Sequence, residues 1–377
     1  MRIVFFTDTY EPQINGVVTA IKLFKKELES SGHEVYIVCP RTPGYKTSEN
    51  VFALRSFTFK PYPEYRGALP SLKLIKWIKN IKPDIIHVHT PVSIGLLGIT
   101  IAKIFSKPLI ATYHTLMEEY FKIYFLPKRL KKKYFQLLSE KFMKKYTKFF
   151  FNKAQIITTP SLAIKEHIKN CGVRKPIVVL PTGVDTDFFK PKTKPKKNLV
   201  LWVGRLGKEK SLDILLKAFS IVQQELSKAK LIIVGDGPER KNLEDLAKKL
   251  SLNTEFKGYV KREELPQYYS RAWVFVSPST TETQGLTVIE AFACSCPVVV
   301  ANALGFKDFV RHGKNGFFAK PKNKKDFAEK MLKILQDLKL RKKLSKNARK
   351  TAEEFSITNQ TKKLISIYEK CLTENFK

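Results

Sequence analysis

The chain alternates short, almost continuously apolar runs with amphipathic stretches, and it does so twice. In the first half IVFF (3–6), VYIVC (35–39), VFAL (51–54), DIIHVH (84–89), LIATYH (109–114), AQIIT (154–158) and IVVLP (177–181) read as strands. Runs apolar on both faces suit a parallel sheet covered on two sides. Between them lie helical patterns: Val17, Ile21, Phe24 and Leu28 share one face, and Gly32 closes that helix. This order predicts a doubly wound α/β sheet. KPKTKPKKN (190–198) carries two prolines and dense lysine without periodicity, and reads as a linker. After it the alternation restarts with LVLWVG (199–204), AKLIIVGDG (229–237), TEFKGYV (254–260), WVFVSPS (273–279) and CPVVVA (296–301) as strands. Helices are expected over 211–226, 239–250, 263–271 and 285–294, and the lysine-rich tail from 323 on is helical. The expectation is two Rossmann-like domains, 1–189 and 199–357, facing a cleft, with a C-terminal helix (about 358–377) packing back on the first. In such sheets ligands sit at the carboxyl ends of strands and at the first turns of the helices that follow.

The most informative segment is STTETQGLTVIEAFACSCPVVVA, 279–301. A polar turn carries Glu282, Gly285 opens a helix, and Glu290 lies one to two turns in. The amides of Gly285, Leu286 and Thr287 fall at a helix N-terminus, which suits a phosphate. The two carboxylates can accept from hydroxyls. The plainer alternative makes Glu282 a dipole partner and Glu290 a solvated helix residue. In WVGRLGKEKS (202–211), Arg205 and Lys210 follow a strand end and precede a helix that Ser211 is placed to cap. Both cations can reach a diphosphate there; the alternative is a solvated basic loop. GDGPE (235–239) adds a tight turn and, alone, is punctuation.

In the first domain Asp8 ends the first strand and is counted among the substrate-binding residues, with Gly16 of the Asn15-Gly16 pair that opens the first helix. His114 ends the fifth strand, where it can donate or accept a hydrogen bond. His87 and His89 share one strand face without a third metal ligand, so packing and hydrogen bonding are expected of them.

Together these segments resemble the retaining glycosyltransferases of family 4, which have the GT-B fold. The resemblance is carried by the Glu282-x7-Glu290 spacing with EAFACSCPVVVA after it, by GRLGKEKS upstream and by GVVTAIKLFKKEL near the start. FTDTYEPQINGVVT, HVHTP, TYHTLMEEY, LPTGVD and TETQGLTVIEA look like the glucosyltransferases that act on diacylglycerol in bacterial membranes. Most of the wider family has an aromatic where this chain has Gln284, and usually a glycine where it has Ser295. The resemblance implies Arg205 and Lys210 on the donor diphosphate, Glu282 on the donor-sugar hydroxyls and Glu290 on the ribose. It implies amides of Gly285, Leu286 and Thr287 on sugar and phosphates, Gly16 beside the phosphate, and His114 at the reaction centre. His114, Glu282, Arg205 and Lys210 thus form the expected catalytic set. No nucleophilic carboxylate stands out, so same-face attack is implied, with the cations in the place of a metal ion. No metal or cofactor is expected. The donor is a nucleotide sugar, UDP-glucose by resemblance.

Charge then selects a partner. Of 377 residues, 69 are Lys or Arg and 34 Asp or Glu, a net charge of +35. Such an excess draws an anionic partner: nucleic acid, phosphorylated substrate or lipid headgroups. PKRLKKKYFQLLSEKFMKKYTKFFFNK (127–153) holds ten Lys/Arg, one acid and seven aromatics. Leu130, Tyr134, Leu138, Phe142, Tyr146 and Phe149 recur at helical spacing, with Lys131, Lys132, Lys141, Lys144, Lys145 and Lys148 elsewhere on the wheel. The reading is a helix whose apolar stripe is mostly core and whose lysines and peripheral aromatics face an anionic bilayer. A second basic-aromatic stretch, 60–82, extends that surface. No nucleic-acid module is present, so nucleic acid is not expected. No apolar run is long enough to span a membrane. The N-terminus opens as a strand without a signal-peptide pattern, and five scattered cysteines suggest reduced thiols. The expectation is a cytoplasmic enzyme, peripheral on the inner face of the membrane, that glycosylates a lipid, diacylglycerol favoured. Alternatives are mannosyl or other hexosyl transfer to phosphatidylinositol, polyprenyl-linked or soluble glycan acceptors, a nucleotide-sugar epimerase, or a non-catalytic basic binding protein.

Overall fold

The computed structural model of the chain describes residues 1–44, 48–58, 66–116 and 133–374. They fall into two compact units, residues 1–182 with the stretch from Ile357 onward, and residues 183–356. The division thus precedes the lysine-rich segment. Residues 190–198 belong to the second unit, where the Lys192 amide donates to Ser270 Oγ (3.0 Å) and the Lys196 amide to the Arg271 carbonyl (2.8 Å).

The first unit runs β1 (Arg2–Phe6), α1 (Gly16–Ser30), β2 (Glu34–Pro40), β3 (Val51–Leu54), β4 (Ser56–Thr58), β5 (Arg66–Ala68), α2 (Leu72–Ile81), β6 (Ile85–Val88), α3 (Ser93–Ile104), β7 (Leu109–Thr112), α4 (Lys133–Phe151), β8 (Ile156–Thr159), α5 (Leu162–Asn170) and β9 (Ile177–Val179). Seven strands form one parallel sheet in the order β3-β2-β1-β6-β7-β8-β9. β1, β6, β7 and β8 are buried along nearly their whole length, as their unbroken apolar runs require. β4 and β5 pair as a separate antiparallel hairpin of three residues a side, too short to show as alternation in the sequence.

The second unit runs β10 (Leu199–Val203), α6 (Leu212–Glu225), β11 (Lys230–Val234), α7 (Arg240–Lys249), β12 (Thr254–Gly258), α8 (Leu265–Arg271), β13 (Val274–Ser277), α9 (Leu286–Ala293), β14 (Val298–Ala301), α10 (Phe306–Phe309), β15 (Gly316–Ala319), α11 (Lys324–Gln336) and α12 (Leu338–Glu354). Its parallel sheet has the order β12-β11-β10-β13-β14-β15. β15, a four-residue GFFA run, pairs with β14 at the sheet edge and carries too little pattern to be read from sequence. The helix expected over 263–271 starts as a 3-10 turn, Arg262–Glu264.

The chain then returns to the first unit as α13 (Ile357–Thr373). Its Leu364, Ile367 and Tyr368 join Val17, Ile21, Phe24 and Leu28 of α1 in one core cluster. Each such side chain contributes about 1.5–3 kcal/mol by burial.

Both sheets reverse strand order once, between β1 and β6 in the first and between β10 and β13 in the second. Crevices at carboxyl ends open at such switch points. Asp8 follows β1, and Thr90 and Ser93 follow β6. Arg205 and Lys210 follow β10, and Glu282 follows β13.

Candidate active site

In the second unit the loop after β10 is shaped by backbone contact. A Cβ on Gly235 would lie 1.8 Å from the carbonyl oxygen of Gly204, so GDG (235–237) is the surface on which this loop rests and more than punctuation. The loop continues into a 3-10 turn, Lys208–Lys210. Glu209 is buried, its carboxylate 3.6 Å from the Arg205 guanidinium. Its carbonyl accepts from Ser279 Oγ (3.2 Å) and Thr281 Oγ1 (3.4 Å), which ties the turn to the exit of β13. That tie places Lys210 Nζ 2.6 Å from Glu282 Oε1. Two of the expected site residues therefore share one partly exposed ion pair. Ser211 does not cap α6 as expected: its backbone is left-handed (φ 54°) and its side chain makes no cap bond.

Gly285 stands at the N-cap of α9 with φ +94°, and a Cβ there would fall 2.5 Å from the Phe306 ring. Only glycine fits the position, and it lets the chain turn directly into the helix. The first-turn amides of Leu286 and Thr287 lack intrahelical acceptors and carry the positive end of the helix dipole. Glu290, one turn on, is buried and is no solvated helix residue. Its Oε2 accepts from Tyr269 Oη (2.9 Å) and its Oε1 from Arg262 (3.4 Å), whose guanidinium lies over the Phe188 and Phe189 rings at 5.6 and 5.1 Å. Burial pushes the Glu290 pKa up, while Arg262 and Tyr269 pull it back. Tyr269, Arg262 and Glu209 were not legible as site residues. Gln284, the residue before Gly285, is buried.

In the first unit Asn15 caps α1, accepting from the amides of Val17 (3.1 Å) and Val18 (3.0 Å), so Gly16 is the first helical residue, as expected. Asp8 differs from expectation. It is fully buried and turned into α3: Oδ1 accepts from Ser93 Oγ (2.8 Å) and the Ile94 amide (2.7 Å), and Oδ2 from Thr90 Oγ1 (2.7 Å) and the Gly95 amide (3.4 Å). With four donors on two oxygens it braces the β1 loop against a helix N-terminus instead of offering a carboxylate to substrate. Burial raises its pKa, and the donors oppose that shift. His114 follows β7 and is half-buried, its Nε2 3.1 Å from His89 Nδ1. His87 is held between Tyr368 Oη and Thr112 Oγ1, each 2.7 Å away. Burial lowers the His87 pKa to about 3 and that of His114 to about 4. Among the described residues no group of three His, Cys, Asp or Glu is placed to hold a metal ion.

Helix α4 corrects the reading of its apolar stripe. Leu138, Phe142 and Phe149 are 53%, 62% and 55% exposed. The face that packs inward is instead Met143, Thr147, Phe150 and Phe151, with Tyr146 donating from Oη to the Pro91 carbonyl (2.6 Å). Lys141, Lys144, Lys145 and Lys148 are exposed and interleave with the apolar side chains. Leu130, Lys131 and Lys132 lie outside the described residues, as does the side chain of Tyr134. A second apolar surface is a groove of about 460 Å³ between α2 and α3, lined by Leu72, Ile75, Leu96, Leu97, Ile101 and Ile104, with Lys73, Lys76 and Lys79 exposed on α2. No described helix is long and apolar enough to cross a membrane.

Two parallel doubly wound units, with charged side chains and helix N-termini at the carboxyl ends of their strands, define an α/β enzyme of the GT-B type. Residues 183–351 match the family described as Glycosyl transferases group 1, and residues 14–188 the one described as Glycosyltransferase Family 4. The chain is 30% identical to the alpha-monoglucosyldiacylglycerol synthase of Acholeplasma laidlawii, covering 100% of this chain and 99% of that protein. It is 32% identical to the Streptococcus pneumoniae enzyme of the same name, over 79% of this chain and 70% of that protein. Among solved structures, Anabaena HepE in complex with UDP-glucose superposes with a TM-score of 0.76 at 19% identity, covering 98% of this chain and 100% of that one, a likeness of fold. The chain belongs to the group 1, family 4 glycosyltransferases.

Proposed function

We propose that this glycosyltransferase moves a hexose, glucose from UDP-glucose, to a membrane lipid of the diacylglycerol type with retention of configuration. The observation that carries the lipid acceptor is the outward face of α4, where Leu138, Phe142 and Phe149 stand exposed among four lysines. A basic helix with an outward apolar face suits the headgroup region of an anionic bilayer. The apolar groove between α2 and α3, with lysines on its α2 side, supports the same reading as a berth for acyl chains. So does the likeness to two monoglucosyldiacylglycerol synthases.

In this reading the second unit holds the donor. Arg205 and Lys210 neutralise the diphosphate, and the amides of Gly285, Leu286 and Thr287 add the dipole end of α9. Glu282 accepts from the sugar hydroxyls, and Glu290, fixed by Tyr269 and Arg262, from the ribose. The first unit supplies the acceptor surface, the loop ahead of Gly16 and His114. The acceptor hydroxyl attacks the anomeric carbon on the face from which the diphosphate departs. The carbon–oxygen bond to phosphate breaks as the new glycosidic bond forms, and the hydroxyl proton passes to the departing phosphate oxygen. Stabilisation of the leaving group by fixed charges does most of the work, and the reading assigns no metal ion to it. In this reading the protein works on the cytoplasmic face of the membrane, where nucleotide sugars are found.

A screen of nucleotide sugars against lipid and water-soluble acceptors tests the reading. Preference for another donor would replace glucose, and transfer to soluble glycans alone would remove the lipid.

A further inference from the structure

His114 has a neighbour in His89, for which packing and hydrogen bonding are expected from the sequence. His89 follows β6, its amide donating to the Phe6 carbonyl (2.8 Å) and its imidazole fully enclosed. On one side its ring lies 4.2 Å from that of His87. On the other its Nδ1 meets His114 Nε2 at 3.1 Å, with the two rings 21° from parallel. Phe5 closes the row edge-on against both His87 and His89.

Counting protons fixes the tautomers. The buried Tyr368 hydroxyl has His87 Nδ1 as its hydrogen-bond partner, so it donates there. His87 then carries its proton on Nε2 and gives it to Thr112 Oγ1 (2.7 Å), which donates in turn to Thr158 Oγ1 (2.6 Å). Between His89 and His114 a single proton is shared. His89 Nε2 is buried and has no hydrogen-bond partner among the described residues. A proton on that atom would be a buried donor without an acceptor, the rarer of the two arrangements and a cost of about 1–3 kcal/mol.

We propose that His89 is a positioning residue for His114: its Nδ1–H donates to His114 Nε2, occupying that nitrogen and leaving the His114 proton on Nδ1. Whatever His114 donates during transfer, it donates from Nδ1, and its Nε2 is withdrawn from general-base work. Burial keeps the imidazoles neutral near pH 7, which the single shared proton requires. The inference rests on His114 acting at the reaction centre, as in the proposed function.

Long-range proton–nitrogen correlation spectra of the full-length protein labelled with ¹⁵N-histidine read the tautomers without substrate. The expected spectrum shows Nδ1–H for His89 and His114 and Nε2–H for His87; an Nε2–H His114 overturns the proposal. In steady-state transfer, His89→Leu should lower kcat by about tenfold to a hundredfold with little change in donor KM. His89→Asn keeps an amide near the Nδ1 position and should recover most of that loss. Unchanged kcat in His89→Leu, or no rescue by a folded His89→Asn, contradicts the positioning role. Full activity in His114→Ala would instead remove His114 from the reaction centre, a failure the substrate-free spectrum keeps separate from an error in the tautomer.

Discussion

Lys210 Nζ lies 2.6 Å from Oε1 of Glu282, across the two loops that flank the switch point of the second sheet. In the proposed function these residues serve different parts of one donor, the ammonium its diphosphate and the carboxylate its sugar. Donor binding then exchanges an ion pair for two sets of ligand contacts. Lys210→Ala should weaken UDP binding by about tenfold to a hundredfold in calorimetry, the range of a charge-assisted hydrogen bond. Glu282→Gln should leave UDP affinity unchanged or raise it, because it releases the lysine, while lowering turnover of the full donor. Equal losses of UDP affinity in both variants would contradict this division of labour.

Ser295 ends α9 with φ 58°, its amide bonded to the Phe292 carbonyl (2.9 Å) and that of Cys296 to the Ala291 carbonyl (2.8 Å). This is the left-handed helix stop in which glycine is at home. Ser295→Gly should therefore stabilise the second unit by about 1 kcal/mol. Thermal denaturation should show its transition about 2–4 °C higher, with activity retained. An unchanged or lowered transition would show that the serine side chain compensates for its backbone.

Acid should destabilise the first unit early. His87 and His114 have pKa values lowered by burial to about 3 and about 4, and His89 is lowered as well. Below about pH 6.5 the unfolded chain takes up protons that the folded one refuses, so their contribution is present above that pH and is lost as pH falls through it. The slope is about 1.4 kcal/mol per pH unit for each such proton. Asp8 in the same unit, raised by burial, acts in the opposite sense. Urea unfolding between pH 7.5 and 5 should show falling stability, and a flat profile would contradict neutral buried imidazoles.

The exposed face of α4 makes a two-part prediction. Lys144→Gln with Lys145→Gln removes about 2 kcal/mol of attraction to an anionic bilayer and should weaken vesicle flotation by about thirtyfold. Binding should fade with added salt. Phe142→Ser should weaken the part of binding that persists in salt. Salt-insensitive flotation of the double lysine variant at the unchanged level would mean that another surface docks.

How far the sequence reaches is clearest at particular residues. The parallel strands announce themselves because burial on both faces demands continuous apolar runs, as in IIHV and VVVA. Lys210, Glu282 and Gly285 follow strand ends, and topology alone brings such loops to one switch point. Asp8 and Glu290 show what composition cannot supply. The donors around Asp8 come from residues more than eighty positions away, and Tyr269 is twenty-one positions from Glu290. The α4 stripe misled because helical spacing identifies a face without saying which way it points. Met143, Thr147 and Phe150 make a similarly spaced face, and that one is buried.

Incubation of the purified protein with radiolabelled UDP-glucose and mixed liposomes of diacylglycerol and anionic phospholipid, followed by lipid extraction, tests the central proposal. The expected result is a labelled glycolipid with an alpha-anomeric linkage, lost in Lys210→Ala. Label that stays in the aqueous phase on soluble sugars, with none in the lipid extract, would contradict it.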